Sequence, residues 1–150
     1  MAEHFIHETA LDRFFNRLMG ALVRVGVAPG YMRRLEVRGR KTGKIYGTPV
    51  NLLESAGSLY LVAARGETAW ARNARAAGRV TLRRGGRAPT FRVRELVLEE
   101  KPLILKQFLD KFASQVQRFF PVPAGAPIEA FRDCAANIPA FELIKEGISA

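Results

Sequence analysis

The sequence holds little of what disulfide-bonded, metal-binding or membrane-spanning proteins require. Its 150 residues include one cysteine, Cys134, and two histidines, His4 and His7. A single cysteine excludes a disulfide framework or a cysteine-rich metal cluster and is typical of a reducing compartment. Uninterrupted apolar runs reach only about six residues, whereas a membrane-spanning helix needs roughly 20. We therefore expect a soluble, cytoplasmic protein without a metal.

Residues for side-chain catalysis are also scarce. A metal pair at His4 and His7 would need carboxylate partners and a rigid helix, so we interpret both as solvated. Cys134 has no histidine to activate it, which favours a small buried side chain over a nucleophile. The segment 39–43 lacks the glycine spacing of a Walker or dinucleotide loop. No catalytic residue can be assigned, and any enzymatic activity is expected to depend on a cofactor.

Acidic residues are nearly absent from the middle of the chain. Lysine and arginine number 24 against 14 acidic residues, giving a formal net charge of +10. Between Arg33 and Arg94, fifteen basic residues face three acidic ones, while the two ends together are close to neutral. A basic middle indicates an anionic partner. Nucleic acid, anionic lipid and a phosphorylated cofactor all satisfy this pattern.

Hydrophobic periodicity predicts a single α+β domain over residues 1–150. Amphipathic helices are predicted over 8–26 and 101–120, and a short helix with a last strand over 128–145. The basic core, 33–98, has strand patterns, including one strand over 45–53 and hairpin signals at 54–58 and Gly85-Gly86. About six mostly antiparallel strands with flanking helices indicate a small β-barrel.

The first segment with functional potential is 38–44, which reads Arg-Gly-Arg-Lys-Thr-Gly-Lys. It places several cations, backbone N–H groups beside glycines and one hydroxyl within a single turn between strands. Phosphate and other oxyanion sites are built from these groups. The alternative is a basic hairpin that is merely solvated.

A second segment, 63–73, combines a strand end with a short helix. Small residues before Arg65 would let a flat ring approach the backbone, and Arg65 supplies a cation there. Thr68 can cap a helix that carries Trp70 and, one turn later on the same face, Asn73. The alternative for Trp70 is an ordinary core anchor.

A third segment, 79–94, is crowded with arginines on a hairpin. Its basic side chains include Arg83, Arg84, Arg87, Arg92 and Arg94. An anion-binding surface and a solvated sheet edge that resists aggregation both fit this pattern.

The first two segments together resemble the deazaflavin-dependent nitroreductase family. The resemblance rests on the turn Gly39-Arg-Lys-Thr-Gly43, on Thr48-Pro49, on Arg65-Gly66 and on Trp70-x-x-Asn73. It spans about 11–144 and includes the entry to the last strand at Ile138-Pro139-Ala140-Phe141. Members of this family are split β-barrels that bind coenzyme F420, an 8-hydroxy-5-deazaflavin.

The resemblance implies a cofactor site and a hydride transfer to a small organic acceptor of the nitro, quinone or enone type. The phosphate and acidic tail of the cofactor would lie against Arg40, Lys41, Thr42 and Lys44, with Thr48 and Pro49 in the same site. Ala64, Arg65 and Gly66 would border the ring, with Trp70 and Asn73 fixing that loop. Because no tyrosine follows Tyr60, we expect a rather apolar acceptor pocket.

Three alternatives remain open. Flavin mononucleotide on the same barrel would also need basic phosphate contacts. A nucleic-acid-binding module fits the charge, but aromatic residues in the basic middle are few and no recognition signature is present. The apolar face of the first predicted helix would also allow a peripheral membrane contact. Since barrels of this kind often leave a sheet face to bury, a homodimer is compatible with the sequence.

Overall fold

The computed structural model describes residues 30–146 and, before them, Arg17 alone. The helix predicted over 8–26, the membrane contact that it would allow and both histidines lie outside the described residues, Arg17 excepted. Seven strands occur in residues 30–146: β1 (Met32–Arg38), β2 (Ile45–Asn51), β3 (Leu53–Ser55), β4 (Ser58–Val62), β5 (Arg79–Arg83), β6 (Thr90–Glu95) and β7 (Ala140–Lys145). The predicted α+β class is confirmed, with seven strands in place of about six.

These strands form one antiparallel sheet in the order β2-β1-β5-β6-β7-β4-β3. The single strand predicted over 45–53 is wrong, because β2 and β3 lie at opposite edges of this sheet and only Leu52 separates them. One residue spans at most about 3.6 Å, so the end of β2 and the start of β3 must lie together and the sheet must curl into a half-barrel. The Leu52 amide donates to the Tyr31 carbonyl over 2.8 Å, which anchors the crossing point.

Both predicted hairpins are present, and the turn of the first is tighter than the loop predicted over 54–58. Strands β3 and β4 are joined by Ala56 and Gly57 alone, and both residues have positive φ angles, 50° and 82°. Two positive φ angles are typical of the two-residue turns that match strand twist. Strands β5 and β6 pair across the second turn, where Arg84 and Arg87 exchange backbone hydrogen bonds around Gly85-Gly86.

Three α-helices and three 3-10 turns accompany the sheet in residues 30–146. They are α1 (Ala69–Ala77), α2 (Lys101–Val116) and α3 (Arg132–Ala135), with 3-10 turns at Leu98–Glu100, Gln117–Phe119 and Ile128–Phe131. Helix α2 starts with Pro102 in its first turn, where proline is tolerated. Its backbone leaves helical geometry at Phe112 (φ −113°, ψ 23°), so the segment predicted as one helix to residue 120 is bent and finishes as a 3-10 turn.

The core has two main parts, one on each side of the sheet. Helix α2 buries an apolar stripe made of Ile104, Leu105, Phe108, Leu109, Phe112 and Val116. On the other side of the sheet, Ala74 of α1 packs in a second cluster with Leu35, Val37, Leu61, Val80, Leu82, Phe91 and Leu143. The two helices therefore pack into different parts of the core, and both contribute residues to the cleft described next.

Candidate functional site

A cleft of about 860 Å³ opens between the turn after β1, the end of β4, helix α1 and the last turns of α2. Nine of the eleven residues predicted to contact a cofactor line this cleft: Arg40, Lys41, Thr42, Thr48, Pro49, Ala64, Arg65, Trp70 and Asn73. Lys44 and Gly66 are not among its lining residues. The fold thus brings together the first two sequence segments, which are far apart along the chain.

The basic turn, residues 39–44, is held in shape by its own hydrogen bonds. The Gly39 amide donates to the Lys44 carbonyl over 2.7 Å, and the Gly43 amide donates to the Gly39 carbonyl over 2.9 Å. The Thr42 hydroxyl accepts from the Lys44 amide over 3.2 Å and lies 2.8 Å from the Tyr46 hydroxyl. A Cβ at Gly39 would collide with the Tyr46 ring, and Gly43 has φ +74°. Both glycines are therefore required by the turn's conformation.

Helix α1 presents Asn73 to the basic turn. The helix begins at Thr68, whose hydroxyl accepts from the Ala71 amide over 3.4 Å, and ends at Gly78 in the left-handed conformation. Asn73 is buried, and its Oδ1 accepts from the Arg40 amide over 3.0 Å and from Arg40 Nη1 over 2.7 Å. The sequence predicted the Thr68 cap but not this long-range contact between the helix and the turn.

The end of β4 supplies a floor of small side chains. Ala63 and Ala64 are buried and line the cleft, and the Ala63 amide donates to the Pro139 carbonyl over 2.8 Å. Gly66, with φ +102°, closes a tight turn by donating to the Ala63 carbonyl over 2.9 Å. Two successive alanines leave room for a flat ring to approach the backbone.

Trp70 both anchors the core and lines the cleft. Its ring centroid lies 5.9 Å from that of Phe141, and it packs at the edge of two buried clusters. The same side chain is half-buried and contributes to the cleft wall. Trp70 therefore packs against the core, and its contact with a cofactor stays a prediction.

The sequence missed the wall that α2 contributes. The lining residues from this helix and the 3-10 turn after it are Phe108, Ser114, Gln115, Val116, Arg118 and Phe119. Gln115 Nε2 donates to the Tyr31 hydroxyl over 2.6 Å, and Asn51 Nδ2 donates to Gln115 Oε1 over 3.0 Å. Ser114 and Gln115, which are polar residues near the end of this helix, were the available signal.

The charge lining the cleft has one sign. Four cationic side chains line it, Arg40, Lys41, Arg65 and Arg118, and the described lining residues include no aspartate or glutamate. The Arg118 guanidinium also lies 4.5 Å from the centroid of the Phe119 ring. A concave surface lined by positive charges attracts anions.

Two arginines of the third segment, Arg83 and Arg94, are paired with carboxylates instead. Arg83 Nε lies 3.1 Å from Glu36, and Arg94 lies 2.9 Å from both Glu100 and Glu142. The hydrogen bond from Arg83 lowers the pKa of the Glu36 carboxyl below its usual value. These internal pairs favour a structural, solvated hairpin over a second anion-binding surface.

Cys134 is buried, as expected for a small core side chain. Burial raises the pKa of its thiol, and its Sγ lies 3.5 Å from the Phe131 carbonyl oxygen. Residues 30–146 contain no group of three histidine, cysteine, aspartate or glutamate side chains placed to hold a metal ion. In the part of the chain that the structure describes, no helix is long and apolar enough to cross a membrane.

Solved structures with the same fold were found at low sequence identity. An F420-H2-dependent reductase, FDR-A, is 21% identical, with 76% of this chain and 94% of that chain covered and a TM-score of 0.53. A protein described as a domain-swapped dimer is 20% identical, with 89% and 92% covered and a TM-score of 0.54. A FAD-binding protein from Mesorhizobium loti is 16% identical, with 93% and 91% covered and a TM-score of 0.52. These likenesses show a split β-barrel fold.

No curated protein matches this chain. A family model does: that of the F420H(2)-dependent quinone reductases matches residues 12–122, which include the basic turn, the end of β4, α1 and α2. The match covers more than half of the chain and confirms the resemblance noted from the two sequence segments. The chain therefore belongs to the F420H(2)-dependent quinone reductase family and is an oxidoreductase that uses coenzyme F420.

Proposed function

We propose that this reductase transfers a hydride from reduced coenzyme F420 to a small, mainly apolar acceptor of the quinone, nitro or enone type. The observation that carries the proposal is the difference between the two walls of the cleft. The wall made by the basic turn bears Arg40 and Lys41, whereas the wall made by α2 and the 3-10 turn after it bears Phe108, Val116 and Phe119, with Ser114, Gln115 and Arg118 beside them. The first suits the anionic cofactor and the second an apolar acceptor.

The residues present fit the cofactor. Coenzyme F420 carries a phosphodiester and a glutamate tail, which call for cations and N–H donors without a competing carboxylate. Lys41 and Arg40 supply the cations, and no acidic side chain is found among the described lining residues. Ala63 and Ala64 leave space for the ring at the end of β4. When bound, the reduced cofactor supplies the hydride from C5 of its ring.

The chain's own contribution is position and exclusion of water. The basic turn would bind the tail of the cofactor, while Trp70 and Ala64 would set the depth at which the ring lies in the cleft. The apolar side chains of α2 would hold the acceptor against the open face of that ring and exclude water from it. Orientation of two bound reactants lowers a barrier without any nucleophile. This is consistent with the scarcity of acid, base and nucleophile candidates in the sequence.

A polar group at the edge of the apolar wall would orient the acceptor. Gln115 is bonded on one side to Tyr31 and on the other to Asn51, so its carboxamide is fixed between α2 and the end of β2. Gln115 and Asn51 line the cleft. We propose that their remaining N–H groups donate to an oxygen of the acceptor, as quinones, enones and nitro compounds all offer.

The cofactor part of the proposal is tested by charge reversal. Lys41→Glu should abolish measurable binding of coenzyme F420, because it puts a carboxylate beside the phosphate. Arg92→Glu is the matched control, since Arg92 is exposed on β6 and does not line the cleft. Fluorescence titration of both variants gives the dissociation constants. Equal losses in the two variants, with a steep dependence on salt, would indicate a polyanion such as nucleic acid instead.

We also propose a homodimer. Strand β2 is an edge of the sheet, and it leaves Ile45 58% and Tyr46 46% exposed. An exposed edge with apolar side chains is a surface for pairing with another chain. A structural neighbour described as a domain-swapped dimer supports the possibility of assembly on this fold. Light scattering on the purified protein gives its molecular mass in solution. A monomer mass at all concentrations tested would contradict the homodimer.

A cytoplasmic location is proposed on composition. The single cysteine, Cys134, is free and buried. Free thiols persist where the compartment is reducing. Fractionation of the producing cell tests this location, and recovery of the protein outside the cytoplasm would contradict it.

A further inference from the structure

We propose that Asn73 is a positioning residue that shapes the basic turn for an anion before the cofactor arrives. The inference rests on the proposed function in one respect: the anion is taken to be the phosphate or acidic tail of coenzyme F420. The shape of the turn itself is a property of the chain without any ligand.

A single oxygen atom of a buried side chain bonds to both the backbone and the side chain of Arg40. Asn73 Oδ1 accepts from the Arg40 amide over 3.0 Å and from Arg40 Nη1 over 2.7 Å, although Asn73 is 5% exposed and Arg40 is exposed. Hydrogen bonds made in a buried environment are stronger than those in water. The two bonds to one acceptor therefore restrict the guanidinium and the turn together.

Asn73 lies on an element that is itself held firmly. Helix α1 is capped by Thr68 at its start and by Gly78 at its end. Arg75, on the same helix, donates to Glu67 over 3.1 Å and to Glu95 over 2.7 Å. A rigid helix transmits its position to the groups bonded to it, which is how binding sites are made precise.

The choice of an amide preserves the charge of the site. A carboxylate at this position could accept the same two hydrogen bonds, but it would also cancel the positive charge of Arg40. The neutral Asn73 oxygen occupies one guanidinium N–H and leaves the others for an anion. Binding is then favoured because less conformational freedom has to be lost when the cofactor is held.

Two substitutions separate geometry from charge. Asn73→Ala removes the acceptor, whereas Asn73→Asp keeps an acceptor and adds a negative charge. Asn137→Ala is the control, because Asn137 is a partly buried asparagine outside the cleft. Two quantities are measured: the hydrogen-exchange rate of the Arg40 amide in the ligand-free protein, and the dissociation constant for oxidised coenzyme F420 by fluorescence. If Asn73→Ala does not fold, Asn73→Leu, whose side chain has a similar shape and no hydrogen-bond acceptor, replaces it.

The expected results differ between the variants. In Asn73→Ala the Arg40 amide should exchange about tenfold faster or more, and the dissociation constant should rise about tenfold. In Asn73→Asp the amide should stay protected while the dissociation constant still rises. Unchanged protection of Arg40 in Asn73→Ala, or wild-type affinity in Asn73→Asp, would overturn the inference. Wild-type protein that binds no coenzyme F420 would overturn the proposed function instead, and the exchange rates would still decide whether Asn73 shapes the turn.

Discussion

Arg65 is the cation that the fold places at the end of β4, after two buried alanines and on the cleft wall. We expect Arg65→Ala to raise the dissociation constant for coenzyme F420 about tenfold, the effect of one charge-assisted hydrogen bond. Arg87→Ala, at the exposed turn between β5 and β6, is the control and should leave the constant unchanged. Fluorescence titration with coenzyme F420 gives the dissociation constants of both variants. An unchanged constant in Arg65→Ala would remove this residue from the site.

Gln115 should affect the acceptor and not the cofactor. Gln115→Leu removes the bonds to Tyr31 and Asn51 at the edge of the apolar wall. We expect KM for a quinone acceptor to rise severalfold, with the dissociation constant of coenzyme F420 unchanged. Gln107→Leu is a matched control, because Gln107 lies on the same helix and does not line the cleft. Equal effects of both substitutions on KM would contradict an acceptor-binding role for Gln115.

At the residue scale, the sequence predicted which basic residues line the cleft better than it predicted the hydrogen bonds that hold them. Arg40, Lys41 and Arg65 could be identified because the turn and the strand end resemble a known pattern. The bond between Asn73 and Arg40 could not be predicted, since it depends on how α1 packs against the turn after β1. Lys44 was expected in the site but does not line the cleft.

At the scale of elements, ion pairs fix helix α1 to its surroundings. Arg75 bonds to Glu95 on β6 and to Glu67 in the segment before the helix. The hydrogen bond from Arg75 lowers the pKa of the Glu95 carboxyl. Because the folded-state pKa is lowered, the stabilisation is present above the unfolded-state pKa and is lost as the pH falls through the folded-state pKa.

Replacing Glu95 should therefore change the pH dependence of stability. We expect Glu95→Gln to have a lower Tm than the wild type at pH 7, by the equivalent of about 1 kcal/mol or less because the pair is partly exposed. The two Tm values should converge as the pH is lowered towards 3. Glu54→Gln, at an exposed position on β3, is the control. Thermal unfolding followed by circular dichroism checks this, and a constant difference in Tm at all pH values would contradict it.

Hydrophobic periodicity predicted most of the helices and strands, but it missed the places where the chain passes from one packing partner to another. The pattern over 45–53 is continuous, so nothing in it marks Leu52 as the point where the chain passes from one sheet edge to the other. The bend at Phe112 was missed for a similar reason: its apolar stripe continues while the backbone turns. Gln115 and Arg118 follow that bend and line the cleft, and periodicity alone did not identify this wall of the site.

At the scale of the whole molecule, folding sorts the basic excess into two populations. Arginines of the β5–β6 hairpin, such as Arg83 and Arg94, are matched by carboxylates from other elements. The cations of the cleft share their wall with no described carboxylate. Net charge along the sequence could indicate an anionic partner, but only the three-dimensional arrangement shows which basic residues lie together on one concave surface.

The central claim is that this cleft binds coenzyme F420 in preference to other anions. Its most direct test is a fluorescence titration of the purified wild-type protein with oxidised coenzyme F420, with flavin mononucleotide and duplex DNA titrated in parallel at the same salt concentration. We predict saturable binding of coenzyme F420 with a micromolar or lower dissociation constant, and markedly weaker binding of the other two. Binding of flavin mononucleotide or DNA without binding of coenzyme F420 would contradict the account.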